Sequence, residues 1–347
     1  MVDYLRAAVI FGADRWLFDD YIRELSANVR IKKVFKNKKY EVYTGKVYKD
    51  FDAVEASDKT EMKAQAKMKL IITYYYKDSL VKIKFGNSFR KWYYGVDSVQ
   101  DFCKTDFLAG LKLLMQKLCL GMDIIRDFDN YRIELGVTNE HEPNFALFNL
   151  SVIDHRNLKD VMRINTDTVT HMGDNLNVSC YNKGAEIKKR RKSNKILELK
   201  DGVYYLRSEV NIKKVSGVKF ANDKCRTIGD LLDNWEENYD YLIKELKYIK
   251  FIDCISPKVV DHILLSQKLS KGDKNKNKEF HDLIKFLGLE HIGWDKFRDM
   301  AHTFTAKPSS IINDYGDLET KFRLLQNPTY KQLYFDKLKE KKKEVMM

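Results

Sequence analysis

The chain has 347 residues, 44% of them hydrophobic, and its 63 Lys and Arg against 50 Asp and Glu give a formal net charge of +13. That apolar content excludes a disordered polypeptide, and no apolar run approaches the roughly 20 residues that a membrane-spanning helix needs. Five cysteines, at 103, 119, 180, 225 and 254, are odd in number and form no CxxC pair, which excludes a disulfide frame and fits reduced thiols in a cytoplasm.

A cationic surplus interleaved with 20 Tyr and 19 Phe suits nucleic acid, because cations meet phosphates and rings stack on unpaired bases. A host with Lys-rich proteins would give the same bulk charge. The length suggests two domains. The opening MVDYLRAAVIF carries Asp3 and no basic leader, so it is a poor signal peptide.

In chain order, Val2–Phe11 reads as a strand and Leu17–Ser26 as a short helix. Residues 31–49 alternate lysines with Tyr, Val and Phe, a basic hairpin turning near Asn37. Its cations either follow a DNA backbone or merely solvate one sheet face. Asp50–Glu61 is acidic and reads as a surface loop. Lys67–Tyr76 and Leu80–Phe85 flank a turn at Lys77–Asp78–Ser79. The following GNSFRKWYYGVDSVQDF sets Arg90, Lys91 and Trp92 beside Tyr93 and Tyr94, either a contact surface for single-stranded or hairpin DNA or an aromatic edge strand. Asp101 can cap a core helix reaching Leu118, with Leu108, Leu111, Met115 and Leu118 on one face.

Tyr131, Ile133, Leu135 and Val137 form one side of the next strand, and Arg132 and Glu134 the other. The pattern weakens between 139 and 173. Of His141, His155 and His171 in this region, His171 has the best claim as a ligand, because it opens the strand that carries Tyr181. In LNVSCYNKGAE, Leu176, Val178 and Cys180 alternate with Asn177, Ser179 and Tyr181, and Gly184 permits a turn beyond Asn182. Tyr181 thus ends a strand, two residues before Lys183 and five before Glu186. A phenol with a pKa of about 10 needs a base, a cation or a metal to become a nucleophile. The cluster Lys188, Lys189, Arg190, Arg191 and Lys192 follows directly and can grip phosphates. Ile196–Leu199 and Val203–Lys213 then read as strands around an Asp201–Gly202 turn. In the second of these, Tyr204, Leu206, Val210 and Ile212 face one side, and Arg207 and Glu209 the other.

If the three strands are neighbours in one antiparallel sheet, Glu134, Tyr181 and Glu209 converge as a metal-plus-nucleophile constellation; the competing reading is a solvated, charged face. From Thr227, which opens a capping-box-like start with Asp230, helical periods dominate: 227–247, 257–268, 279–288, 293–304, 309–325 and 328–343, with a flexible Lys-rich stretch at 271–278. The expected architecture is therefore α+β: an antiparallel sheet with packed helices over 1–225, then a helical part over 226–347. No internal repeat and no Gly-rich phosphate cradle is legible.

The segments KIKFGNSFRKWYYGVDSVQDF, LLMQKL, YRIELGV, CYNKGAE and YYLRSEVNI resemble, in order and spacing, the filamentous-phage and plasmid rolling-circle replication initiators of the gene II/X family, related to HUH-type and plasmid Rep_trans initiators. The resemblance spans roughly residues 80–215. It implies that Tyr181 of the Y-x-K-x-x-E motif is the nucleophile, with Lys183 and Glu186 at the other motif positions. Glu134 follows the R-I pair at the family's acidic position, where one family member carries Asp, and Arg207 with Glu209 matches the R-x-E strand. The paired-histidine motif of better-known nickases is absent. The implied enzyme nicks and rejoins one strand of origin DNA through a 5′-phosphotyrosine, in the cytoplasm of a bacterial host cell. It uses Mg²⁺ or Mn²⁺ held by Glu134 and Glu209, with His171 or Glu186 as additions. Arg132 and Arg207 join the DNA-contacting set, and a host helicase and DNA polymerase are the implied protein partners. A non-catalytic DNA-binding protein, or a tyrosine strand transferase for mobilisation or integration, would share much of this sequence pattern.

Overall fold

The computed structural model describes residues 1–50, 66–143, 145, 148–158, 160–164, 168–190, 199–251 and 328–347. The expected acidic loop from 51, the cations Arg191 and Lys192, the strand start at 196, the helices between 257 and 325 and the stretch 271–278 lie outside those residues.

Alternating apolar and polar residues become strands β1 (Val2–Gly12), β2 (Arg30–Lys36), β3 (Tyr40–Tyr48), β4 (Lys67–Tyr75), β5 (Leu80–Ser88) and β6 (Asp129–His141). A short β7 (Val152–His155) is followed by β8 (Asp160–Ile164), β9 (Thr168–Met172), β10 (Leu176–Asn182) and β11 (Tyr204–Ile212). Ten of them form one sheet in the order β2-β3-β4-β5-β1-β6-β11-β10-β9-β8, while β7 pairs with β12 (Ile249–Phe251). Every pairing is antiparallel, and β2–β3, β4–β5, β8–β9 and β9–β10 are joined by short hairpin connections. The order also hides a duplication. β1 and β6 lie side by side at the centre, and on each flank a four-strand meander returns its last strand to them: β2 to β5 beside β1, β8 to β11 beside β6. The two halves share a topology without sharing a visible sequence repeat, since pairing order depends on apolar alternation and turns, not on residue identity.

One face of the sheet carries the core. Leu5, Ala7, Val9, Leu70, Ile72, Ile83, Phe85, Ile133, Leu135, Val137, Val178, Leu206, Val210 and Ile212 are all buried on it. Helices α1 (Arg15–Ser26), α2 (Phe89–Tyr94), α3 (Lys104–Lys117) and α4 (Phe148–Ser151) precede α5 (Lys183–Arg190). After the sheet come α6 (Lys219–Lys224), α7 (Ile228–Asp233), α8 (Trp235–Lys247) and α9 (Tyr330–Met346). Phe18 of α1 stacks on Tyr74 at 4.6 Å. The Tyr334 hydroxyl of α9 donates to Ser208 Oγ at 2.8 Å, and Trp235 of α8 donates to the Val345 carbonyl at 2.8 Å. The described helices beyond residue 225 therefore share the core of the sheet. No described helix is long and apolar enough to cross a membrane.

Several local expectations are corrected. The helix expected from Asp101 starts at Lys104 with Cys103 as its cap, because Asp101 is held instead by Arg207. Lys183 and Gly184 open α5 instead of a turn, with Asn182 Oδ1 accepting from the Ala185 amide at 2.9 Å as an N-cap. The helix read over 227–247 is divided at Asn234, while the Thr227–Asp230 capping box forms as expected. Tyr131 leaves the core face. The register shift between Arg6 and Ala7 makes it the unpaired residue of a bulge, and it is 42% exposed.

Candidate active site

The opposite sheet face gathers the acids. Ser179 pairs with Glu209 and Glu209 with Gly136, while Tyr181 pairs with Arg207 and Arg207 with Thr138. Alternation then sets Tyr181, Arg207, Glu209 and Glu134 on one side, away from the core residues Val178 and Val210. The sequence reading of three convergent strands needs these neighbours, and β6-β11-β10 supplies them. A fourth member comes from β1. Val2 pairs with Leu135 but Tyr4 with Glu134, so Asp3 is an extra residue in a bulge that re-aims its side chain. Carboxylate oxygens of Asp3, Glu134 and Glu209 come within 4.8 Å of one another. Sequence reasoning noted Asp3 only as an early acid; a lone carboxylate inside an otherwise apolar strand was the available signal.

Arg207 organises the cluster. Its guanidinium donates to Glu209 Oε1 at 2.6 Å, Asp101 Oδ1 at 2.6 Å, Asp3 Oδ2 at 2.8 Å and Thr138 Oγ1 at 2.9 Å. It crosses Gly136, where a Cβ would lie 2.8 Å from both Arg207 Nη2 and Glu209 Cγ, so only glycine fits. Arg90 adds a second cation, donating from Nε to Asp3 Oδ2 at 3.2 Å. Two guanidiniums thus offset two of the four carboxylates Asp3, Asp101, Glu134 and Glu209. The surplus of carboxylates, all hard oxygen donors, suits one Mg²⁺ or Mn²⁺ once the Glu134 proton is displaced.

Tyr181 Oη donates to Glu209 Oε1 at 2.8 Å. Burial, then the Glu209 charge, push this phenol well above its ordinary value, so it stays protonated with a carboxylate placed to receive the proton. Arg207 pulls the phenol the other way, but burial and Glu209 outweigh it. Lys183 is fully buried, contacts Glu186 Oε2 at 2.5 Å and lies 5.7 Å from the Tyr181 ring centroid. Burial, with Arg90, Arg207 and Lys91, lowers its ammonium to about 8. Glu134 is raised well above the carboxylate range by burial and by its neighbours Glu209 and Asp3. Burial would raise Asp3 too, but Arg90 and Arg207 hold it far below its usual value.

Other expected site residues fall elsewhere. His171 pairs with Val178 and Val161 on the core face and packs 5.5 Å from the His155 ring, so alternation sets it on the wrong side of the sheet for the acids. Arg90 and Trp92 are buried, one on Asp3 and the other donating to the Val47 carbonyl at 3.0 Å. They build the site and its core and are closed to a DNA surface. Arg207 is likewise buried within the cluster. Lys91 lies 3.6 Å from Glu186, and Arg132 reaches Asn211 Oδ1 at 3.2 Å from the edge of the acidic group. Lys188 and Lys189 are exposed on α5, directly after the Tyr181 motif, with Arg190 at the end of that helix.

No family model and no curated protein matches this chain. Among solved structures, a di-domain aromatase/cyclase, StfQ, from steffimycin biosynthesis aligns with 70% of this chain and 96% of its own at 7% identity, with a TM-score of 0.20. A likeness that slight carries no argument about fold or chemistry.

Proposed function

We propose that this chain is a metal-dependent DNA-nicking and strand-joining enzyme that uses Tyr181 as nucleophile, and that it serves as a rolling-circle replication initiator on origin DNA. The observation that carries the reading is the 2.8 Å hydrogen bond from Tyr181 Oη to Glu209, inside the carboxylate group completed by Asp3 and Glu134. The initiator role rests on the likeness of the Tyr181, Glu134 and Arg207–Glu209 segments to the gene II/X family, as do the helicase and polymerase as partners.

In this reading the Tyr181 proton passes to Glu209 as Oη attacks the scissile phosphorus. The new O–P bond forms a 5′-phosphotyrosine, and the bond from phosphorus to the 3′ oxygen breaks. The leaving oxygen takes a proton from the Lys183 ammonium, which near pH 8 can both give and regain one. Asp3, Glu134 and Glu209 would hold a divalent cation, which would supply Lewis-acid stabilisation of charge on the phosphate oxygens. Glu209 meets Tyr181 and Arg207 through the same oxygen, Oε1, which leaves Oε2 for other ligands. Arg207 fixes three of the carboxylates, so the group is preorganised before substrate arrives. Rejoining reverses the steps, with a 3′-hydroxyl attacking the phosphotyrosine.

The test is covalent trapping. Protein incubated with a random-sequence single-stranded DNA library and Mn²⁺ is expected to yield a denaturant-stable protein–DNA adduct. Tyr181→Phe is expected to yield none; an undiminished adduct in that variant would overturn the assignment.

A further inference from the structure

The N-terminal half of the open face carries a feature that the nicking chemistry does not use. Arg30 pairs with Lys46, Lys46 with Lys69, Lys69 with Gly86, Gly86 with Arg6, and Arg6 with Arg132. Directly paired residues share a face, so these six positions form one row perpendicular to the strands, crossing β2, β3, β4, β5, β1 and β6. At a strand spacing of about 4.8 Å, the five steps span about 24 Å. Every position but one is cationic. The exception, Gly86, is where the Arg6 stem lies down: a Cβ there would meet Arg6 Cγ at 3.0 Å. Arg6, Lys46 and Lys69 are exposed and have no ion-pair partner among the described residues. Lys84, beside the row, is lowered by burial, then by Arg6 and Lys82, as expected where like charges crowd.

The row ends at the candidate site. Arg132 stacks over Tyr4 at 4.7 Å and donates to Asn211 Oδ1 at 3.2 Å, and Asn211 donates to Glu134 Oε2 at 3.2 Å. A single file of cations leading to a half-buried nucleophile matches one phosphodiester strand better than the broad double arc of a duplex.

We propose that this row is a track for single-stranded DNA, its phosphates held by Arg6, Lys46 and Lys69 and delivered past Arg132 to the carboxylate group. The proposal rests on the DNA-processing reading above, yet its test needs no catalysis. Binding of a fluorescein-labelled oligo-dT 30-mer is followed by anisotropy over a salt series, for wild type, Tyr181→Phe, the triple variant Arg6→Ala/Lys46→Ala/Lys69→Ala, and a control Lys337→Ala/Lys339→Ala on α9. Melting curves check that each variant is folded. Each phosphate contact contributes about 0.7 to the slope of log K against log salt for single strands, so the triple variant is expected to flatten that slope by about 2. Tyr181→Phe and the α9 control are expected to bind with the wild-type slope. An unchanged slope in the folded triple variant, no binding by wild type, or a preference for duplex over single strand would each overturn the track. If adducts still form while the slope is unchanged, the track fails and the nicking reading stands; a flattened slope with no adduct in wild type supports the track and removes the nicking chemistry.

Discussion

Replacing Glu134 by Gln should make the protein more stable and catalytically dead. The Glu134 carboxyl shares a space with Asp3 and Glu209, their oxygens within 4.8 Å of one another. Two unit charges at that separation repel by about 3.5 kcal/mol at an effective dielectric of 20. Arg207 and Arg132 offset part of this, leaving a net relief of roughly 1–3 kcal/mol when the charge is removed. Unfolding entropy of about 2.1 cal/mol/K per residue amounts to about 0.7 kcal/mol/K for this chain, so the expected rise in Tm is about 1.5–4 °C. The pH dependence has a definite sign. Because the folded Glu134 pKa is raised, the native state holds a proton that the unfolded chain has lost, and native stability falls as pH rises from the ordinary carboxylate range through the raised value. The advantage of Gln therefore grows across that window and vanishes at lower pH, where both states are protonated.

Metal reverses the balance. A divalent ion bound at these carboxylates would, at a hundredfold excess over its Kd, stabilise by about 2.7 kcal/mol, or about 4 °C here, and displace the Glu134 proton. Scanning calorimetry with and without MnCl₂ on wild type and Glu134→Gln reads both effects. If the Gln variant melts lower than wild type without metal, or still gains the full Mn²⁺ shift, the reasoning about a crowded, cation-seeking carboxylate fails.

Gly136→Ala drives a methyl into Arg207 and Glu209 and is expected to lose about 1–3 kcal/mol by chemical denaturation, together with adduct formation. Arg207→Met strands Asp3 and Asp101 without their shared cation and should cost about 3–5 kcal/mol in the same assay. If the proposed nicking chemistry holds, the Lys183 ammonium, lowered to about 8, should give the nicking rate a falling limb above that pH, and Lys183→Arg should remove the limb from the pH–rate profile. Native Lys183 binds fewer protons than its unfolded counterpart between about pH 8 and the ordinary lysine value, so its contribution to stability rises with pH over that window.

Much of the sheet was legible because alternation speaks for itself: β1, β4, β5, β10 and β11 fall close to their expected positions. The convergence of Glu134, Glu209 and Tyr181 was legible for the same reason, since a half-buried strand sorts its carboxylates onto one face. What alternation cannot reveal is a break in alternation. Asp3 and Tyr131 both sit in β1–β6 bulges, one drawn into the site and the other pushed out of the core. Nor does sequence say whether a cation meets water or a buried acid. Arg90 and Arg207 look like DNA contacts in a basic chain, and only the fold shows Asp3 between them. His171 failed for want of strand parity: an even number of residues from Val169, it shares that core residue's face. The cation row was illegible because its members are scattered between positions 6 and 132 and meet only through register.

The most direct measurement is peptide mapping of the covalent protein–DNA adduct by mass spectrometry after nuclease and protease digestion. The account predicts a nucleotide attached to Tyr181 within the 176–187 segment, joined through its 5′ phosphate. A nucleotide on Tyr93, Tyr94 or any other residue, with Tyr181 unmodified, would contradict it.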